Sequence, residues 1–162
     1  MMRIGIVSDT HDKADTMAAA VKMLRDRGAE FFIHCGDVGA SRVLDHLAGP
    51  PGCFVFGNCD WDRAELRRYA EQIDVACHNT FGDLTLDGKR IAVIHGDDGK
   101  MKQRLLAEQR HDYLFQGHTH VREDTRVGKI RLINPGALHR ANPKTAALLD
   151  TATDKLDFVT VA

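Results

Sequence analysis

Five short apolar runs in this chain stop abruptly, and each stops on residues that can bind a metal. The run from Arg3 to Ser8 gives way to Asp9-Thr10-His11, and that from Phe31 to Cys35 gives way to Gly36-Asp37. Cys53 to Phe56 is followed by Gly57-Asn58-Cys59-Asp60. The run from Lys89 ends in His95-Gly96-Asp97, and that from Tyr113 in Gly117-His118-Thr119-His120. Runs of this length, rich in β-branched and aromatic residues, read as buried strands. In an open sheet the carboxyl ends of parallel strands share one rim, where ligands bind. The pattern therefore predicts that Asp9, His11, Asp37, Asn58, His95, His118 and His120 gather in one place.

Helical spacing fills the gaps between the early runs. Met17, Ala20, Val21 and Leu24 predict a helix over 13–27, with Asp12 as a candidate N-cap and Gly28 as the C-terminal cap. A short helix over 41–47 takes Ser41 as its N-cap and is stopped by Gly49-Pro50-Pro51-Gly52. The order β-α-β-α-β implies parallel strands with right-handed crossovers. A polar helix over 62–72 follows. Strands over 80–86 and 89–95 form a hairpin around Asp87-Gly88, the strongest turn signal in the chain. A helix over 100–109 and a strand over 113–116 precede a second hairpin, 121–127 with 130–134. Two last strands lie near 146–150 and 156–161. With no repeat and no linker, the expectation is one α/β domain over 1–162, with two mixed sheets between flanking helices.

Composition narrows the function. A chain of 162 residues buries a core without staples, and Cys35, Cys53, Cys59 and Cys77 form no C-x-x-C pair, so reduced thiols and a cytoplasmic location are expected. The formal charge of −1 supplies no basic stripe for nucleic acid or an anionic membrane. No run approaches the ~18 apolar residues of a membrane helix, and the first residues lack a signal peptide's apolar stretch and cleavage site. There is no G-x-x-x-x-G-K-[ST] and no G-x-G-x-x-G, which removes nucleoside triphosphates and dinucleotides. Asp outnumbers Glu 18 to 5, and there are 9 His. Taken singly, each candidate has an ordinary explanation. Asp9 or Asp37 fits a cap or turn, His95 a satisfied strand-end histidine, His118 and His120 one packed strand face, and Asn58 a left-handed turn. All seven at strand ends, in this order, favour a metal site. His34, His46, His78 and His111 fit no pattern and read as structural.

In order and spacing, Asp9-Thr10-His11, Gly36-Asp37, Gly57-Asn58, His95-Gly96 and Gly117-His118-Thr119-His120 resemble the five blocks of the calcineurin-like metallophosphoesterase superfamily. The Gly57-Asn58-Cys59-Asp60 form and the Ile133-Asn134-Pro135-Gly136 ending resemble its compact YfcE-type phosphodiesterase branch. The resemblance runs from Arg3 to about Gly136. It implies a four-layer α/β/β/α sandwich holding two divalent cations, manganese first, with nickel, magnesium, iron or zinc as alternatives. It implies Asp9, His11 and His120 on one cation, Asn58, His95 and His118 on the other, and Asp37 bridging both. Asn58 and His118 are also the candidate catalytic contacts. A pair of this kind activates a bridging hydroxide for in-line attack on a phosphoester. The expected partner is a small phosphoester substrate, and relatives often form homo-oligomers.

Two positions depart from the wider pattern. Many members carry a His after the Gly-Asn, where it protonates the leaving oxygen, and here that place holds Cys59. A thiol, with an ordinary pKa near 8.5, is a poor substitute acid, so good leaving groups are expected. Cys59 also reads as a small buried apolar residue. Asp97 stands where relatives often have another His; it or Asp98 either orients His95 or starts the next helix. Trp61 reads as lining the mouth of the site or a surface contact, and the His139-Arg140 loop as facing substrate or solvent. The rival function is a non-catalytic protein-interaction scaffold, resembling a retromer subunit of this branch in which the ligand set is eroded.

Overall fold

Side-chain alternation sorts eleven strands into two sheets that face each other. The computed structural model describes residues 1–162. Its elements are β1 (Arg3–Val7), α1 (Ala14–Asp26), β2 (Phe31–His34), α2 (Ser41–Leu44), β3 (Gly52–Phe54), α3 (Arg63–Gln72), β4 (Ala76–Cys77) and β5 (Phe81–Leu86). They continue with β6 (Lys89–Ile94), α4 (Gly99–Glu108), β7 (Tyr113–Phe115), β8 (Glu123–Val127), β9 (Ile130–Asn134), β10 (Lys144–Asp150) and β11 (Lys155–Val161). One sheet runs β11-β10-β1-β2-β3-β4 and the other β5-β6-β7-β9-β8. In the first, β1 to β4 and β11 run in one direction, and β10 lies antiparallel between β1 and β11. In the second, β6, β7 and β9 are parallel, with antiparallel β5 and β8 at the edges.

Successive side chains on a strand point to opposite faces, and here each face meets its own apolar layer. Ile4, Ile6, Ile33, Cys53 and Val55 meet Ile91, Val93, Tyr113, Phe115 and Ile133 between the sheets. The alternate residues Val7, Phe32, Phe54 and Phe56 turn outward onto Met17, Leu24, Val43 and Leu66 of the first three helices. On the far side, Ala92, Ile94, Leu114 and Leu132 pack beneath Leu105 of α4. The result is the expected four-layer α/β/β/α sandwich. Truncating a core residue such as Phe115 to Ala in such a layer costs about 3–5 kcal/mol.

The ends of the elements differ from expectation in instructive ways. Ser41 does not cap α2; Ala40 is the N-cap, with no side-chain bond, and the helix tightens into a 3-10 turn over Asp45–Leu47. Asp12 does not cap α1 either. Lys13 occupies that place, and the Asp12 carboxylate is drawn instead into a two-pronged pair with Arg42, at 2.6 and 2.8 Å. Gly28 closes α1 as expected, with φ of +88° and a bond from the Ala29 N–H back to the Leu24 carbonyl. The two-residue β4 gave no sequence signal. No helix is long and apolar enough to cross a membrane, and all four cysteines are free.

Candidate metal centre

The strand ends of both sheets meet at one seam. The Asp9 N–H donates to the Gly36 carbonyl and the His11 N–H to that of Asp37, both at 3.0 Å, which stitches the loops after β1 and β2 together. The Gly117 N–H donates to the His95 carbonyl at 2.9 Å, doing the same for β6 and β7. The His118 N–H then crosses to the other sheet and donates to Asp9 Oδ2 at 3.0 Å. Two glycines permit this crowding. A Cβ on Gly57 would lie 2.2 Å from Asp37 Oδ1, and one on Gly117 1.9 Å from Ser8 Oγ.

Asp9 and Asp37 each have one oxygen held by the protein and the other turned toward imidazoles. Asp9 Oδ2 accepts from the Ser8 hydroxyl at 2.7 Å as well as from His118. Its Oδ1 has no hydrogen-bond partner and lies 3.2 Å from His120 Nε2, 3.7 Å from His11 Nε2 and 3.9 Å from His95 Nε2. Asp37 Oδ1 accepts from the Cys59 N–H at 2.8 Å, leaving Oδ2 3.2 Å from His95 Nε2 and 3.4 Å from His11 Nε2. The Cys35 carbonyl, 2.8 Å from His95 Nδ1, can only accept, so the proton of the neutral ring sits on Nδ1 and the Nε2 lone pair faces the carboxylates.

The electrostatics follow from that geometry. Burial alone would raise Asp37, but His95, the Cys59 N–H and His11 outweigh it and bring the carboxyl down to about 2. Burial would lower His95, yet the close approach of the Asp37 carboxylate and the charges of Asp9 and Asp37 lift it to about 9. A pocket that holds a proton so firmly is one of strong negative potential. Asp9 Oδ1, His11 Nε2 and His95 Nε2 are buried without partners, an expensive condition that a cation would relieve. Mixed carboxylate and imidazole donors suit divalent transition metals. Asp9, His11 and His120 form one group of mutually close donor atoms, and Asp9, Asp37 and His95 form another.

Residues 2–154 match the family model described as the calcineurin-like phosphoesterase superfamily domain. The chain belongs to that superfamily. It is 28% identical over 155 residues to a Methanocaldococcus jannaschii protein named phosphodiesterase MJ0936, covering 93% of each. A solved archaeal phosphodiesterase, 26% identical, superposes with a TM-score of 0.90 over 99% of this chain and 100% of that one. Yfce, a phosphoesterase from E. coli, shares the fold at 19% identity and a TM-score of 0.69, over 99% of this chain and 100% of its own.

Of the seven candidate ligands of this superfamily member, five converge through measured donor distances: Asp9, His11, Asp37, His95 and His120. His118 is exposed, with its ring 5.1 Å from that of His95. Asn58 is exposed too, and its amide nitrogen donates to the Cys59 sulfur at 3.7 Å. Cys59 is not the buried apolar residue of the simpler reading. It is half-exposed, and its sulfur groups with donor atoms of His11 and Asp37. Burial and the Asp37 charge raise its thiol, which keeps it protonated at neutral pH. Asp97 does not orient His95, whose Nδ1 is taken by Cys35; Asp97 is exposed, and Asp98 caps α4 through the N–H groups of Lys100 and Met101.

Sequence reasoning missed two supports. Asp60 accepts N–H bonds from Val38, Gly39 and Gly57 and so clamps the loop after β2 to the loop after β3. His34, fully buried, contacts the Thr10 hydroxyl at 3.0 Å and accepts from the Gly36 N–H through Nδ1. The Asp of Gly57-Asn58-Cys59-Asp60 was the available signal for the first; His34 read as structural, as it is, but nothing tied it to these loops.

Proposed function

We propose that the chain is a metal-dependent phosphodiesterase that hydrolyses small phosphoesters at a dinuclear centre. Asp9, His11 and His120 would hold one cation and Asn58, His95 and His118 the other, with Asp37 shared between them. The observation that carries this reading is the pairing of one pinned with one facing oxygen on Asp9 and Asp37. When bound, divalent cations supply Lewis acidity toward phosphate oxygens and acidify water.

The protein's own groups do the positioning. Ser8 and the His118 N–H stop Asp9 from rotating, and the Cys59 N–H does the same for Asp37. Cys35 keeps the His95 Nε2 available as a donor. His118, exposed beside His95, is placed to contact the substrate. Cys59 is too weak an acid to serve as a strong proton source, so substrates whose leaving oxygen departs as a stable anion, such as phenolates, are favoured. Against the scaffold alternative, a binding surface has no use for buried, unpartnered donors, and only Met1, Trp61, Val121 and Val127 are exposed large hydrophobics.

With manganese added, the protein is expected to cleave bis-p-nitrophenyl phosphate, as read by p-nitrophenolate absorbance. Asp37→Asn should lower kcat/KM by roughly a thousandfold or more with an unchanged circular dichroism spectrum, as for loss of a group the reaction cannot replace. Full activity in a chelated, metal-free sample, or in Asp37→Asn, would defeat the proposal.

A further inference from the structure

The loop between β9 and β10 brings two groups to the centre that the ligand set does not use. Its first half is rigid. Ala137 and Leu138 are fully buried, the Leu138 N–H donates to the Ser8 carbonyl at 3.2 Å, and the Thr145 hydroxyl donates to the Pro135 carbonyl at 2.8 Å. The next residue, His139, is half-buried, with its ring 5.7 Å from the ring of His11. Arg140 follows in the left-handed region at φ 52° and is exposed. It lies near enough for its charge to bear on both His11 and His139, as Lys13 does on His139. The chain's ion pairs draw on other cations, Arg42, Arg90 and Arg131 among them, and leave Lys13 and Arg140 unpaired. A guanidinium free of carboxylate partners on the loop beside this centre can take an anion, because its fork geometry fits phosphate and carboxylate oxygens.

We infer that Arg140, with His139 as a neighbouring donor, forms an anion-binding rim on the His11 side of the centre that lets it accept, beside diesters, phosphoesters carrying a second negative charge. The inference rests on the phosphoesterase reading of the same centre. A diester has one charge at the scissile phosphorus. A monoester or inorganic phosphate carries close to two at pH 8, one more than the cations meet in a diester, and the surrounding carboxylates and imidazoles offer that extra charge no fixed cationic side chain. Arg140 supplies one, so its effect falls on dianions and spares monoanions.

The test compares manganese-loaded wild type, Arg140→Met, Arg140→Lys and the distant surface variant Arg104→Met. Each is assayed with p-nitrophenyl phosphate and bis-p-nitrophenyl phosphate, and each for inhibition of diester cleavage by inorganic phosphate. Arg140→Met should lose about tenfold or more in kcat/KM on the monoester, a size typical of one charged contact. The phosphate inhibition constant should rise by a similar factor, while the diester rate stays within about threefold. Arg140→Lys should recover part of the loss, and Arg104→Met should match wild type. Parallel losses on both esters, or no loss on either, overturn the inference. So does a wild type that cleaves the diester yet neither cleaves the monoester nor binds phosphate, and in these cases the phosphodiesterase reading stands. A wild type inert toward both esters overturns that reading and takes the inference with it.

Discussion

Five of the candidate ligands, Asp9, His11, Asp37, His118 and His120, sit at positive φ, between 43° and 72°. That region costs an ordinary residue roughly 1–2 kcal/mol, and residues held there against preference cluster at functional sites. The sequence singled these residues out as candidate ligands but offered a left-handed turn only as the alternative reading of Asn58, which is not among the residues at positive φ. Residue types that tolerate this region, Asp and His, are also good ligands, so one preference concealed the other. His34 shows a second consequence that composition could not reveal. Burial lowers its pKa from 6.5 to about 4, so between those values the unfolded chain takes up a proton that the native chain refuses. Its contribution is therefore complete above pH 6.5 and is lost as pH falls toward 4, by about 3 kcal/mol in all at 1.36 kcal/mol per unit. Urea melts from pH 7.5 to 4 should show that loss, and His34→Gln should flatten it.

At the level of elements, alternation and turn chemistry made most strands and helices legible, because each strand face has one apolar layer to meet. Caps were less so, since Asp12 and Ser41 had the right chemistry but tertiary partners or backbone geometry placed them elsewhere. The turn after β3 was read as a site for Asn58, whereas its tightness depends on Gly57 against Asp37. Gly57→Ala should displace Asp37, reduce bound metal as measured by elemental analysis, and lower diester turnover by at least about a hundredfold, as small misplacements of a reacting group do. Gly99→Ala, at the start of α4 with open space around its Cβ, should instead raise stability by about 0.5–1 kcal/mol in the same melts.

For the whole molecule, the sheet order and the meeting of the two rims required tertiary structure. The strand-end pattern says that seven residues share a rim but not that the rims of two sheets abut. Cation binding should therefore act on the entire fold. At a hundredfold excess over Kd, binding to the native state alone adds about 2.7 kcal/mol, or about 5–10 °C in Tm for a chain of this size. Differential scanning fluorimetry with manganese should show the rise, a chelator should reverse it, and Asp37→Asn should abolish most of it.

The donors for one centre are divided between two slabs joined by the apolar seam of Ile6, Ile33, Val93 and Phe115. Slippage of one slab against the other by an ångström would change every spacing between the two sets of donors at once. Side-chain volume in that greasy filling thus works as a calibration screw, and conservative exchanges there, far from any donor, would retune reactivity without touching a single coordinating atom.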